Sequence, residues 1–538
     1  MSCTTHLTVL SEKASLFPTA PAFLVPELSS DGDKVQTWQP ISYSQFFDDV
    51  ELTARYWAAK LAELQLPRHA VVGMWLSGMT YVDLLHIYGM ARAGYVPQLF
   101  SLRLPNPEVI YELLHRAKAQ ALVYDVSFDE IVTDSPLPKF VAVHPHIADV
   151  DDSIPLPLLS DEVNLDDTAM IFHTSGSTSG SPKLVPCSYR WLKAIIDKAA
   201  HVSKPLRSGQ QDVTVWMGSM CHIAQTFMLI GALQYGFCTI QPSKISFSSD
   251  ELLDMVHRCR LNRLNQFATY LGMHLKNSRK DPKLLAVLQG LDEVLYAGLT
   301  LAREEEEWAF QNGILLRNLF GNTECGAMLL SIGGKDEDSS YLRPIEGTSY
   351  DFRPTDPVSE DDAAHENVNA RLLELVIRSD SGDCPDSSLR QADGHYHTGD
   401  LFLEVQEGCY IFRGRDDDWI KSENSLRCDT KAIEDNVRAM CGSLITECIV
   451  VGNGRPSPVL FVEPQGNVDA ERLKKDIIRR TRHFHSRRYL HERITSTAFV
   501  IVVPRGTLPR TATKGNIRRR AVEEQFKAEL DQIYGVAA

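Results

Sequence analysis

The stretch Asp167-Thr-Ala-Met-Ile-Phe-His-Thr-Ser-Gly-Ser-Thr-Ser-Gly-Ser-Pro-Lys183 constrains the chain more than any other. Ala169-Met-Ile-Phe172 has the length and bounding residues of a buried strand, and it runs into residues 173–182, which are mostly Ser, Thr and Gly. Beyond Lys183, the run Tyr189-Arg-Trp-Leu-Lys-Ala-Ile-Ile-Asp-Lys-Ala spaces its apolar residues as a helix does. The expected unit is therefore strand, small-residue loop, lysine, helix. Small residues let backbone N–H groups approach an anion, hydroxyls add donors and a lysine adds a point charge, so one reading is a phosphate cradle. The other is a flexible Ser/Gly linker between domains. It is not a Walker loop, because Gly-x-x-x-x-Gly-Lys-Ser/Thr is absent.

Around this unit the chain alternates strands and helices. Residues 38–64 read as an amphipathic helix with Ser44 as its cap, 70–76 as a buried strand, 81–93 as a helix stopped by Gly94, and 121–124 as a strand. The rhythm returns with strands at 213–217, 237–240, 293–296 and 314–317 and a helix at 251–260. It implies two α/β lobes, each with a parallel sheet under helices, sharing one ligand crevice. Short strands at 374–378, 401–405 and 410–412 form a small β-rich subdomain; a separate α+β region then carries helices at 430–440 and 470–482 and strands at 447–451, 459–462 and 498–503. The acidic runs at 333–340 and 356–367 read as surface loops. The fold class expected is α/β, with a large N-terminal body over residues 1–413, a hinge at 414–417 and a small, mobile α+β C-terminal domain at 418–538.

Composition narrows the function classes. A length of 538 residues exceeds one ordinary core, and a net charge of −15 argues against a general nucleic-acid-binding face. The start of the chain lacks the basic, apolar pattern of a secretory signal, and no run approaches the roughly 20 apolar residues of a membrane span. A soluble, cytoplasmic protein is expected. Its eleven cysteines are scattered without metal-ligand spacing and read as buried reduced thiols.

Five polar clusters stand apart from the core pattern: the loop ending at Lys183, Phe320-Gly-Asn-Thr-Glu324, His397-Thr-Gly-Asp400, Gly414-Arg-Asp-Asp-Asp-Trp-Ile-Lys421 and the segment around Lys514. Singly each is weak, and Thr-Gly-Asp alone reads as a turn. In this order they resemble the ANL superfamily of acyl-CoA synthetases, luciferases and nonribosomal-peptide-synthetase adenylation domains, across roughly residues 38–520. The wording around the loop and Ala93-Gly-Tyr-Val-Pro97 is most similar to the adenylation domains of fungal adenylate-forming reductases, of the NRPS-like type.

The resemblance implies ATP-dependent activation of a carboxylic acid to an acyl-adenylate, followed by transfer to a thiol. The loop from Thr174 through Ser175, Gly176, Ser177, Thr178 and Gly180 to Lys183 would hold the β- and γ-phosphates of ATP. Phe320, with Asn318, Leu319 and Phe412, would lie beside the adenine; Thr323 would touch the α-phosphate and Glu324 would hold Mg²⁺. Asp400 would accept the ribose hydroxyls with Arg415 close by, Asp417 would be the hinge position, and Lys514 would reach the substrate carboxylate and the α-phosphate. Three departures from the family pattern stand out: one extra residue in the phosphate loop, Asn424 in place of a glycine, and the order Lys514-Gly515 instead of Gly-Lys.

The segment Gly218-Ser-Met-Cys-His-Ile-Ala-Gln225 corresponds to the place where amino-acid-activating domains carry an aspartate, and it holds no acid. A buried ammonium without a counter-charge costs several kcal/mol, so an aryl, α-keto or short aliphatic acid is favoured over an α-amino acid. His222 would line either the pocket or the nucleotide site, or be a satisfied core histidine; Phe267, Ala268, Tyr296, Ala297 and Gly298 complete the cavity by analogy. The acceptor implied is the phosphopantetheine thiol of a carrier protein, with coenzyme A as the alternative and a non-catalytic nucleotide-binding relative as a second. The basic stretch 472–493 reads either as a solvated helix face or as a surface for an acidic carrier or for CoA phosphates.

Overall fold

The computed structural model describes residues 4–29, 34–100, 107–144, 150–151, 153–159, 161–174, 183–335, 337–355, 372–416, 419–421, 427–486, 488, 490–510 and 517–535. Among these the two expected sheets are present. One has six strands in the order Lys139–Val141, Ala121–Tyr124, Val71–Trp75, Val96–Phe100, Thr168–Thr174, Lys183–Ser188; it is parallel except for the last pair. The other has thirteen. Its parallel part runs Pro21–Leu28, Cys238–Ile240, Val213–Val215, Arg263–Phe267, Glu293–Ala297, Leu316–Asn322, with Val35–Ser42 antiparallel on the outer edge. On the far side it continues without a break through Gly326–Ser331, Leu342–Pro344, Cys409–Arg415, Tyr396–Gln406, Leu373–Ile377 and Tyr350–Pro354, all antiparallel. The β-rich region is thus hydrogen-bonded onto the second lobe and shares its sheet.

Helices Tyr43–Ala62, Tyr81–Arg92, Tyr189–Val202 and Ile223–Gln234 share one core with residues of both sheets, including Met74, Leu99 and Phe172 from the first and Phe23, Trp216 and Leu319 from the second. Residues 223–234 are apolar almost all round, the pattern of a helix with no solvent face, and nearly every one of them is buried. The opposite face of the large sheet carries a second core with helices Ser249–Cys259, Ala268–Ser278, Pro282–Gly290 and Arg303–Gln311. After residue 418 a three-stranded sheet, Ile445–Val451, Val459–Pro464, Val500–Val502, has helices Thr430–Cys441 and Ala470–Ser486 on one face and Arg519–Gln525 and Lys527–Ile533 on the other.

Two local expectations are corrected. Residues 38–42 belong to the strand Val35–Ser42, where Pro40 costs no ladder bond on an edge, and the helix begins at Tyr43 with Ser42 as its cap, accepting from Gln45 N at 3.1 Å. The helix at 81 begins as expected, on a Thr80/Asp83 capping box, and Gly94 takes φ +89° behind it. No helix among the described residues is long and apolar enough to cross a membrane.

Burial holds His6, His86, His173, His274 and His485 down at about 4. Each is neutral in the folded chain and takes a proton near 6.5 when unfolded, so the stability it contributes is present above about pH 6.5 and is lost as pH falls toward 4. Asp49, Asp83 and Asp429, whose carboxyls burial pushes up, act in the opposite sense. His397, lowered by burial but held up overall by Asp393 and Glu374, is the reverse case among the histidines: its contribution is present below about 6.5 and is lost as pH rises. With five lowered histidines against three raised carboxyls, urea-unfolding free energy is expected to fall between pH 6.5 and 4, and His274→Gln is expected to flatten that fall.

Candidate functional site

The loop expected to cradle phosphate leaves its strand as anticipated but does not lead into a helix. Lys183 opens a second strand, Lys183–Ser188, antiparallel to Thr168–Thr174, with Thr174 opposite Lys183. The helix starts six residues later, at Tyr189, on a Ser188 cap. The segment is therefore a hairpin whose two ends, Thr174 and Lys183, are fixed side by side; Ser175, Gly176, Ser177, Thr178 and Gly180 lie outside the described residues. At its root His173 stacks on Phe100 at 4.4 Å between ring centroids. Its Nδ1 lies 2.8 Å from the Leu99 carbonyl and donates to it, which leaves Nε2 to accept from Gln98 Nε2 at 3.1 Å. Burial keeps the ring neutral, with the nearby Arg116 and His222 lesser influences in the same direction, so this tautomer is retained at neutral pH.

Strands Leu316–Asn322 and Gly326–Ser331 form a second hairpin whose tip is Thr323-Glu324-Cys325. Gly321 is required here, because a Cβ would stand 2.3 Å from the Gly326 carbonyl oxygen. The tip is gripped by the helix that follows the first hairpin: Trp191 Nε1 donates to the Glu324 carbonyl at 2.9 Å, and Lys198 Nζ, about two turns along, to the Cys325 carbonyl at 2.7 Å. Lys198 is buried and pairs with buried Asp383 at 2.6 Å, and Asp383 also accepts from Tyr350 Oη and Ser381 Oγ. Phe320 leans on Phe412 and Phe402, with ring centroids 4.9 and 5.2 Å away. Leu319 is buried in the shared core. Asn318 N donates to Ser331 Oγ at 2.8 Å.

Thr398-Gly-Asp400 lies within the long strand Tyr396–Gln406 at an irregularity in its pairing, and is not a free turn. Asp400 faces Arg415 across the ladder, is almost wholly buried, and accepts from Arg415 Nη1 at 3.2 Å. Gly399 takes φ +69°, and a Cβ there would come 3.2 Å from the Arg415 guanidinium, so glycine answers both demands. Tyr396 joins the two hairpins' surroundings. Its hydroxyl is pushed up first by burial and then by the nearness of Glu324, Cys325 and Asp400, against Arg415. Glu324 likewise adds to the burial that raises the Cys187 thiol, on the strand that begins at Lys183. Glu324, Asp400 and Arg415 are thus brought to one locality beside the first hairpin. Sequence reasoning did not single out Tyr396, His173, Trp191 or Lys198; the only signal was their closeness in sequence to Asp400, Thr174 and the helix after Lys183.

Asp417 and Lys514 lie outside the described residues. The segment bearing Lys514 is closed at its base by an antiparallel bridge between Arg510 and Ile517. Arg510 is bidentate on buried Glu463, at 2.8 and 3.2 Å.

At the carboxyl ends of the central strands, Phe267 and Ala297 stand opposite each other in register and pack on the shared core. Tyr296 and Ala268 do not join them. Strand alternation turns Tyr296 to the other face, where its hydroxyl meets Glu306 at 3.2 Å, and Ala268 sits with it in the second core. His222 precedes helix Ile223–Gln234, half-buried and near enough to His173 to act on its charge. Gln225 Oε1 accepts from Met217 N and Gly218 N, so the neighbouring backbone is fixed.

Residues 10–352 match the AMP-binding enzyme family, and residues 417–538 match the AMP-binding enzyme C-terminal domain. The chain belongs to the AMP-binding enzymes of the ANL superfamily. It is 36% identical over 519 residues to the AMP-binding domain-containing enzyme iboA of Amanita muscaria, covering 94% of this chain and 98% of that protein. It is 23% identical over 573 residues to a carboxylic acid reductase of Neurospora crassa, covering 98% of this chain; this AMP-binding enzyme spans half of that relative's length. Among solved structures it is similar to O-succinylbenzoate coenzyme A synthetase of Bacillus subtilis in complex with AMP, with a TM-score of 0.72 at 16% identity over 97% of this chain and 98% of that one. The same synthetase in complex with ATP and magnesium ion gives 0.71 at 17%, over 96% and 99%. These two likenesses are of fold. By family, this AMP-binding enzyme is an acid-activating, adenylate-forming ligase.

Breaking one side of a buried ion pair leaves a charge without compensation. Lys198→Met is expected to lower unfolding free energy by about 3–5 kcal/mol, and Lys198→Met combined with Asp383→Asn by clearly less than the two single changes together, read by urea denaturation. Gly321→Ala is expected to keep the fold but weaken AMP binding, measured by calorimetry, because the Thr323–Glu324 tip must move aside.

Proposed function

We propose that this adenylate-forming ligase activates a carboxylic acid without an α-ammonium group and passes the acyl group to the phosphopantetheine thiol of a carrier domain, as the adenylation module of an NRPS-like carboxylate reductase would. The observation that carries the reading is the gathering of Glu324, Asp400 and Arg415 around Tyr396, beside the hairpin of Thr174 and Lys183. In this proposal ATP lies along that locality. Its ribose hydroxyls donate to Asp400, with Arg415 alongside. Its adenine rests by Phe320, Asn318, Leu319 and Phe412, its α-phosphate meets Thr323, and the hairpin from Thr174 to Lys183 receives the β- and γ-phosphates. Glu324 suits Mg²⁺, which is commonly held by one or two carboxylates and the substrate's phosphates. Bound there, the ion supplies charge neutralisation on phosphate oxygens.

An oxygen of the substrate carboxylate bonds to the α-phosphorus as the bond to pyrophosphate breaks. Two anions meet in that step, so positive charge and donors must already be in place. Lys514, on a segment whose base is held by Arg510 and Glu463, contributes that charge in the transition state. The thiol then attacks the acyl carbonyl, and AMP departs with the electron pair of the broken acyl–phosphate bond. Turning of residues 418–538 about Asp417 between the two steps belongs to the same proposal. The absence of an acid from residues 218–225, where Gln225 is already engaged by two backbone N–H groups, supports an aryl, α-keto or short aliphatic acid.

ATP–pyrophosphate exchange over a panel of these acids and α-amino acids tests the reading. Exchange with a neutral-tailed acid supports it; AMP binding without exchange on any acid overturns it in favour of a non-catalytic relative. Lys514→Ala is expected to lose roughly 10²–10³-fold of the exchange rate with its melting temperature unchanged. Offering the adenylated acid to a holo-carrier domain and to coenzyme A in parallel decides the acceptor.

A further inference from the structure

Resting on that reading, we infer that Phe267 sets the depth of the acid pocket and restricts this enzyme to short acids, excluding extended chains and bulky aryl tails. The residue ends the strand Arg263–Phe267, faces the shared core together with Ala297, and is half-buried, as a pocket wall is. Its ring is wedged between two glycines from different strand ends. A Cβ on Gly218 would come 3.0 Å from Phe267 Cε2, and a Cβ on Gly298 would come 3.0 Å from Cδ1. Real Cβ contacts seldom come so close, so the backbone at both places is bare because the ring occupies the space that side chains would fill. Nothing loose supports this arrangement. Gln225 pins the N–H groups of Met217 and Gly218, Trp216 Nε1 donates to the Gly218 carbonyl, and Gly298 takes φ +87°. A phenyl ring fixed across the strand ends leaves an acyl chain little room beyond its first carbons, and removing it opens the gap between the two glycines.

The test uses the full chain and pyrophosphate exchange on an unbranched series from propionic to octanoic acid, with pyruvic and benzoic acids. The wild-type enzyme is expected to favour the shortest acids. In Phe267→Ala the kcat/KM ratio of hexanoic to propionic acid is expected to rise at least 10-fold, since each methylene newly buried is worth about fourfold. Phe267→Leu, which keeps an apolar side chain on the core, is expected to fall between the two and carries the comparison should the alanine variant not fold. Gly218→Ala added to Phe267→Ala is expected to reverse part of the gain, because its methyl group enters the vacated space. A wild type that prefers octanoic acid, or Phe267 variants that still exchange propionic acid with an unshifted ratio, would overturn this inference while leaving acid activation intact. Wild-type enzyme inert toward every acid would overturn both.

Discussion

The hydrogen bond from Lys198 to the Cys325 carbonyl, made by an ammonium that is itself paired with Asp383 inside the protein, is the constraint on which the site's construction depends. A charge so buried is tolerated only when its partners are complete, and here they are: a carboxylate and a main-chain carbonyl on the lysine, and Tyr350 and Ser381 on the carboxylate. The pair therefore ties three parts together: the helix behind the first hairpin, the tip of the second hairpin, and the loop after Leu373–Ile377. Trp191, on the same helix, adds a bond to the Glu324 carbonyl. Two successive carbonyls held by one rigid element leave the Glu324 side chain little freedom of position. The tip cannot slide without exposing an unpaired charge to an apolar interior.

Around that clamp, the long sheet does what a βα repeat alone could not. Two strands of its parallel half end at Phe267 and Ala297, side by side, and its antiparallel half carries Asp400 and Arg415 opposite each other on neighbouring strands. The close approach at Gly321 arises where those halves meet, and that at Gly399 lies inside the antiparallel half, beside Arg415. Both are places where backbone or guanidinium stands at the distance a methyl group would need. Phe320 is fixed by Phe402 and Phe412 from the antiparallel half, so the aromatic wall beside the hairpin tip belongs to both halves.

The βα rhythm was legible because buried parallel strands are continuous apolar runs, and 121–124 and 293–296 stand within a residue of the observed strands. The strand Lys183–Ser188 was not legible. It contains Pro186, which argues against a strand unless the strand lies at an edge, and this one is the sheet's last. The partner of Lys198 is 185 residues away, a separation that no spacing rule can bridge. Analogy puts Tyr296 in the pocket together with Ala297, yet in a strand adjacent residues face opposite ways, and only Ala297 meets Phe267. Motif order offers Thr323 and Glu324 as candidates, whereas the Lys198–Asp383 clamp on their hairpin tip, made of ordinary core residues, leaves no motif.

The C-terminal region repeats the same economy on a smaller scale. Burial pushes the Glu463 carboxyl up, but the guanidinium of Arg510 and the N–H of Leu508 outweigh it and hold it below the usual carboxylate range. Arg510 is also the first leg of the bridge to Ile517, and Arg518 N donates to the Pro509 carbonyl at 2.8 Å. The described residues on either side of 511–516 are thus tied to each other, and Arg510 ties them to the three-stranded sheet through Glu463. Under the proposed turn of residues 418–538 about Asp417, these two anchors would travel with the sheet as one piece. In that proposal the placement of the whole small region is the variable that separates the two successive reactions.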